Sequence, residues 1–272
     1  MMSVMPTVVR AGVPIYYESV GSGPAVLWHT GGGGDGVMWA RAGWLDCLPG
    51  HRHLMVDHRG HGRSGRPTEL AAHAHGEYIS DLLAVLDHAG VDRAGLVGYS
   101  DGGWTVLATA ARHPDRVALV ITVGTIPEQH DEPGERIESA AEVRTTGVPA
   151  VMREFASEEA HPPPAWMMAN LSQTETEMFA LELEGRAADV SLWSELPAVE
   201  APVLLICGDL EAPDASDLVG RAVERFRDCE AVVHPDVAHL EVFWNVRLSG
   251  PTMATFVAAH RSAWRDRPGP GS

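Results

Sequence analysis

Short, uninterrupted apolar runs alternate along this chain with stretches that carry apolar residues at helical spacing. That alternation limits the fold more than any other feature. Runs at 15–17, 25–29, 54–57, 96–99, 118–123, 203–207 and 231–233 are candidate strands. Several are Val, Leu and Ile with no polar break, which suits strands covered on both faces. Between them, 78–89 sets Ile79, Leu82, Leu83 and Leu86 at helical spacing, and 104–111, 219–226 and 253–260 read as further helices. Strands and helices in alternation build βαβ units and a mostly parallel sheet, so the expected class is α/β, doubly wound.

The stretch 127–197 breaks the pattern. It is acidic, offers no convincing strand, and carries helical stretches at 140–157 and 174–186 divided by Pro162, Pro163 and Pro164. The expected organisation is a core formed by 1–126 and 198–264, a helical insertion at 127–197 over one edge of the sheet, and a disordered Pro/Gly-rich tail at 265–272. The length of 272 residues suits one sizeable domain with such an insertion.

Charge narrows the partners. Twenty Lys and Arg face 37 Asp and Glu, a net charge of −17. Nucleic acid or an anionic membrane surface would need a basic patch, so neither is expected, and a small molecule is the expected partner. Cys47, Cys207 and Cys229 are odd in number and form no CxxC pair, which points to reduced thiols in a cytoplasmic compartment. The first twelve residues lack the basic and apolar regions of a signal peptide, and no apolar run approaches the length of a membrane span. Oligomeric state is left open, with a homodimer allowed for.

Chemistry concentrates in three places. Gly98-Tyr99-Ser100-Asp101-Gly102 lies between a strand and a helix, where a protruding nucleophile needs small neighbours on either side of a strained bend. The pentapeptide alone is weak, since chance supplies roughly 0.16 copies per chain of this composition; its strand–turn–helix setting raises it. The glycine-rich loop in "VLWHTGGGGDGVMW" (26–39) can bring backbone N–H groups to a developing oxyanion, with Gly31 or Gly32 as one donor and Asp101 as the other. It fits neither the P-loop nor the dinucleotide pattern. A serine also needs an imidazole to take its proton and an acid to orient that imidazole. Glu211, with Asp209 and Asp214 as alternatives, follows a late strand, and His239 follows the next, giving the order Ser, acid, His. The close pairs His51/His53, His58/His61 and His73/His75 invite a metal reading. No ligand pattern such as HExxH contains them and no Cys or carboxylate completes a cluster in sequence, so surface or turn positions, and no metal, are expected.

His29 with its following glycines, "VDHRGHGRSGRP" (56–67), "GYSDGG" (98–103), "PVLLICGDLE" (202–211) and "VAHL" (237–240) together resemble the α/β-hydrolase superfamily over nearly the whole chain. The resemblance implies a parallel-sheet hydrolase core with the insertion as a lid and no cofactor. It makes Ser100 the nucleophile, His239 the general base and acid, and Glu211 the orienting acid where the family usually has aspartate. Thr30 stands where the family usually has glycine. The elbow is similar to that of the valacyclovir-hydrolase-like branch, in which the acid beside the nucleophile helps read a substrate amino group; Asp101 either does this or favours the helix dipole. Trp39, Tyr99, Trp166, Met168, Trp193 and Trp244 are expected to line the substrate pocket, and Met167, Met178 and Phe179 are further lid candidates. The expected reaction is hydrolysis of a small or medium ester, lactone or thioester through an acyl-enzyme. Alternatives are C–C bond hydrolysis, cofactor-free perhydrolysis or cyclisation at the same site, and a non-catalytic ligand-binding module of the same fold.

Overall fold

Each continuous apolar run becomes a strand whose alternate residues feed opposite cores, the period-2 consequence of the pleat. In β5 (Ala94–Tyr99), Leu96 packs into one buried cluster and Val97 into the other; in β7 (Val203–Gly208), Leu205 and Leu204 divide the same way. The computed structural model describes residues 6–127, 133–187 and 192–264. The remaining strands are β1 (Thr7–Arg10), β2 (Val13–Gly21), β3 (Ala25–His29), β4 (Arg52–Val56), β6 (Val117–Val123) and β8 (Cys229–His234). They form one eight-stranded sheet in the order β1-β2-β4-β3-β5-β6-β7-β8. β1 and β2 are antiparallel to their neighbours, and every pairing from β4 to β8 is parallel. The expected class is therefore observed. β1 was not expected: four alternating half-exposed residues at the sheet edge carry no continuous apolar run.

Helices cover both faces. α2 (His75–His88), α3 (Asp101–Arg112) and α8 (Ala215–Arg225) bury Leu82, Leu86, Val106, Val219 and Ala222 in one cluster. α1 (Val37–Ala42), α9 (His239–Trp244) and α10 (Val246–Ala259) bury Trp39, Phe243, Met253 and Phe256 in the other. Between β6 and β7 the described residues hold α4 (Pro133–Thr146), α5 (Val148–Ser157), α6 (Ala165–Leu171) and α7 (Thr176–Gly185), and no strand. The helix expected at 140–157 is two helices, divided at Gly147, whose φ of +82° an α-helix cannot carry. Three prolines end at the start of α6, as their missing N–H groups require. The tail expected to be disordered lies outside the described residues.

The chain runs from β3 out to β4, then returns across β3 to β5. The connection after β3 runs towards β4 and the one after β5 runs the other way, to β6, so a crevice opens where the carboxyl ends of β3 and β5 meet, with His29 opposite Gly98. The glycine-rich loop leaves β3 and the Ser100 bend leaves β5 at that point. All three cysteines are free. No helix among the described residues is long and apolar enough to cross a membrane.

Candidate active site

Ser100 connects β5 directly to α3 with φ +54° and ψ −126°, a conformation rare outside glycine. Three bonds hold it there: the Ser100 N–H donates to the Val123 carbonyl at 2.9 Å, and the Gly103 N–H and the Thr125 hydroxyl each donate to the Ser100 carbonyl at 2.8 Å. The flanking glycines are required by contact. A Cβ on Gly98 would lie 2.3 Å from the Gly102 oxygen, and one on Gly102 would lie 2.5 Å from the His29 oxygen. The serine side chain thus stands at the crevice because its neighbours have none.

His239, the first residue of α9, brings Nε2 to 3.0 Å from Ser100 Oγ, and its Nδ1 lies 2.8 Å from Glu211 Oε2. Glu211 sits in the short turn after β7, and its other oxygen accepts the Gly208 N–H at 2.7 Å. The extra methylene of glutamate is absorbed by this doubling back, which aims the carboxylate at the imidazole. Asp209 makes no bond to His239, and its Oδ1 is buried without a partner. Burial opposes charge on His239. The hydrogen bond and charge of Glu211, with Glu159 and Asp101 beyond it, outweigh that, so the pKa is raised above the ordinary value. Tyr99 stacks on the imidazole at 5.1 Å between centroids, and its hydroxyl donates to the His239 carbonyl at 3.1 Å.

Gly31 presses on the bend: a Cβ there would lie 2.7 Å from the Ser100 Cβ and 3.1 Å from the Asp101 nitrogen. Backbone from the loop and from the start of α3 therefore meets at the serine. Asp101 itself is committed elsewhere. Its carboxylate meets Arg136 at 3.1 Å and Arg186 at 3.7 Å, while Arg186 also donates to its carbonyl at 2.8 Å. Burial would raise the Asp101 pKa, but the two guanidinium groups win and hold it at about 2. A carboxylate sharing two arginines is not the bare acid that a substrate ammonium needs.

Two cavities of about 420 and 250 Å³ meet at Ser100, Asp101, Phe155, Leu183 and His239. The larger is polar, with Arg136, Glu158 and Glu159; the smaller is apolar, with Val143, Val151, Met152, Leu171 and Phe179. Tyr99 and Phe179 are the sequence candidates that reach a cavity wall. Trp39 is fully buried among Trp28, Trp44 and Phe243, with centroids 4.9–5.9 Å away. Trp166, Met168 and Trp244 pack against that same core, and Trp193 packs against the opposite one, under Arg225. None of these five lines either cavity, because an aromatic or Met is drawn to any apolar core regardless of where substrate binds. Phe155 and Arg136 were missed, and only their packing in three dimensions marks them.

The histidine pairs also differ from expectation. His53, His58, His61, His73 and His75 are all buried, not at the surface. A carboxylate does join one pair: Glu182 of α7 comes together with His58 and His61, their ligating atoms all within 4.8 Å. Its distance in sequence, over a hundred residues, hid it. Burial, then the nearby His58, holds the His61 pKa at about 3, and His58, His61 and Arg186 outweigh burial to lower that of Glu182.

Comparison with known proteins bears on the fold. Residues 24–175 match the family described as alpha/beta hydrolase fold, more than half of the 272 residues. The chain belongs to the α/β-hydrolase family. It is 33% identical over 121 residues to the bifunctional esterase/perhydrolase DCH of Acinetobacter calcoaceticus, covering 43% of each chain. It is 30% identical over 120 residues to the 2-hydroxymuconate semialdehyde hydrolase of Pseudomonas putida, covering 44% of this chain and 42% of that one. The match thus spans about two fifths of the length of both relatives. A thermophilic esterase from Thermogutta terrifontis superposes with a TM-score of 0.80 at 23% identity, over 93% of this chain and 97% of that one, and shares the fold.

Proposed function

We propose that this α/β-hydrolase is a serine hydrolase of small or medium esters, lactones or thioesters, working through an acyl-enzyme. The observation that carries the reading is the continuous relay from Ser100 Oγ through His239 to Glu211, at 3.0 and 2.8 Å. Neutral His239 takes the serine proton through Nε2 as Oγ attacks the carbonyl carbon, and Glu211 stabilises the imidazolium that results. The backbone N–H groups of Asp101 and of Gly31 hold the oxyanion. His239 then gives its proton to the leaving group, and a water activated by the same nitrogen releases the acid. The helical segment 127–197 acts as a lid on the core of 1–126 and 198–264. The acyl group occupies the apolar cavity beside Phe179 and Met152, and the leaving group faces Arg136 and Glu158.

The test is Ser100→Ala assayed on a panel of p-nitrophenyl esters and with a fluorophosphonate probe. Hydrolysis should fall at least a thousandfold and labelling should vanish. Turnover or labelling equal to the parent protein would sink the mechanism. Because one relative carries the name esterase/perhydrolase, the panel is repeated with hydrogen peroxide as acyl acceptor, where peracid formation dependent on Ser100 would support perhydrolysis at the same site.

A further inference from the structure

Away from the Ser100 cavities, His58, His61 and Glu182 form a buried cluster for which the proposed reaction has no use. Each is 1% exposed. His58 and His61 lie on the loop after β4, and Glu182 lies on α7, so the cluster joins the core to the helical segment. Both ring nitrogens of His58 and one oxygen of Glu182 are buried with no hydrogen bond of ordinary length, and the nearest approach of His58 Nε2 to Glu182 Oε2 is a long ion pair. Leaving such atoms unsatisfied is expensive, and native interiors rarely do it.

The spacing supplies a reason. Glu182 Oε2 is 3.5 Å from His58 Nε2 and 3.4 Å from His61 Nε2. Those separations exceed an ordinary hydrogen bond. These two separations match the edge of a coordination tetrahedron, which is about 3.3–3.6 Å for metal–ligand bonds of about 2.0–2.2 Å, and all three ligating atoms lie within 4.8 Å of one another. The His61 tautomer is set as a ligand requires: Nδ1 faces the Arg59 carbonyl at 3.3 Å as donor, which leaves Nε2 as an acceptor. One contact competes, the Gly33 N–H at 3.2 Å from His61 Nε2, and an ion would displace it. A cavity of about 100 Å³ lined by Asp35, Arg66, Asn170 and Thr174 reaches His61, one member of the cluster.

We propose that His58, His61 and Glu182 bind one divalent transition-metal ion of the zinc class, with water as fourth ligand. Two imidazoles and one carboxylate suit zinc and cobalt better than calcium or magnesium. Its role is structural. It staples α7 to the loop after β4, one turn before Arg186 reaches the Asp101 carbonyl. The proposal does not depend on the hydrolase reading, and the two fail separately.

The experiment uses the full chain without an affinity tag, stripped with a chelator and titrated with zinc or cobalt. One ion per chain is expected, with strong visible absorption from four-coordinate cobalt. The melting temperature should rise by about 5 °C or more at a hundredfold excess of zinc over its Kd. His58→Ala and Glu182→Gln should each weaken binding at least tenfold, while His260→Ala on the outer surface should leave it unchanged. Wild-type affinity in His58→Ala, or weak uptake at several sites with no change in melting temperature, would overturn the proposal; a trapped water is then the occupant. Should either variant fail to fold, the cobalt spectrum of the parent protein decides, and the faint bands of six-coordinate cobalt count against it.

Discussion

Serine at φ +54° costs roughly 1–3 kcal/mol, and three hydrogen bonds to its backbone and two glycines hold it there. The same residue-scale economy operates at Glu211, whose two oxygens are divided between His239 and the Gly208 N–H. Glu211→Gln keeps the shape but removes the charge, so kcat/KM should fall about 10²- to 10⁴-fold. The pH profile gives the sharper check. In the proposed mechanism protonated His239 cannot accept the serine proton, so activity should be lost as pH falls through the His239 pKa, which is raised above 6.5. Without the negative partner the imidazolium is less favoured, and the acid limb should move to lower pH in Glu211→Gln. Asp209→Asn should leave the limb in place and the rate within a few-fold. A limb unmoved by Glu211→Gln would remove Glu211 from its assigned role. Ser100 and His239 stood out as candidates because glycines and strand ends mark them in the local sequence. Glu211 stood first among three acids there, but which carboxylate faces the imidazole depends on where it points after a turn, and in the fold that is Glu211.

At the scale of elements, the α5–α6 connection reaches the helix that carries His239. Glu159 accepts the Leu240 N–H at 2.7 Å and the Glu241 N–H at 3.0 Å, and His161 Nδ1 lies 2.8 Å from a Glu241 oxygen. A carboxylate on the first N–H groups of α9 satisfies donors that no helix can pair internally. Glu159→Ala removes the acceptor of the first two N–H groups after the start of α9, a loss comparable to that of an N-cap, about 0.5–2 kcal/mol, and a misplaced imidazole slows chemistry more than binding. Steady-state kinetics should show kcat lower by about tenfold with KM within about threefold, and Glu159→Gln should recover much of the loss. Equal loss in the two variants would assign the effect to charge and not to capping. This contact spans some eighty residues, so nothing in the local sequence around either partner signals it. The helices themselves were legible, since apolar spacing is local, while the edge strand β1 and the break at Gly147 were not.

Over the whole molecule, a net charge of −17 sets the folded state against its own repulsion. Salt screens that repulsion, and surface pairs such as Arg112–Glu195 and Arg144–Glu177 contribute too little to reverse the sign. The melting temperature should therefore rise by a few degrees, on the order of 2–4 °C, between 10 and 200 mM sodium chloride. A fall over that range would mean that specific ion pairs dominate. Strand runs and helix periodicity determined the fold class by themselves, and the glycine-flanked serine and the late histidine marked the candidate site, because each is a short-range pattern with a backbone cause. Tertiary structure alone decided which aromatics face a cavity, that Asp101 is shared between two arginines, and that Glu182 meets His58 and His61. Those outcomes depend on which elements the folded sheet brings side by side, and long-range proximity is not written in local spacing.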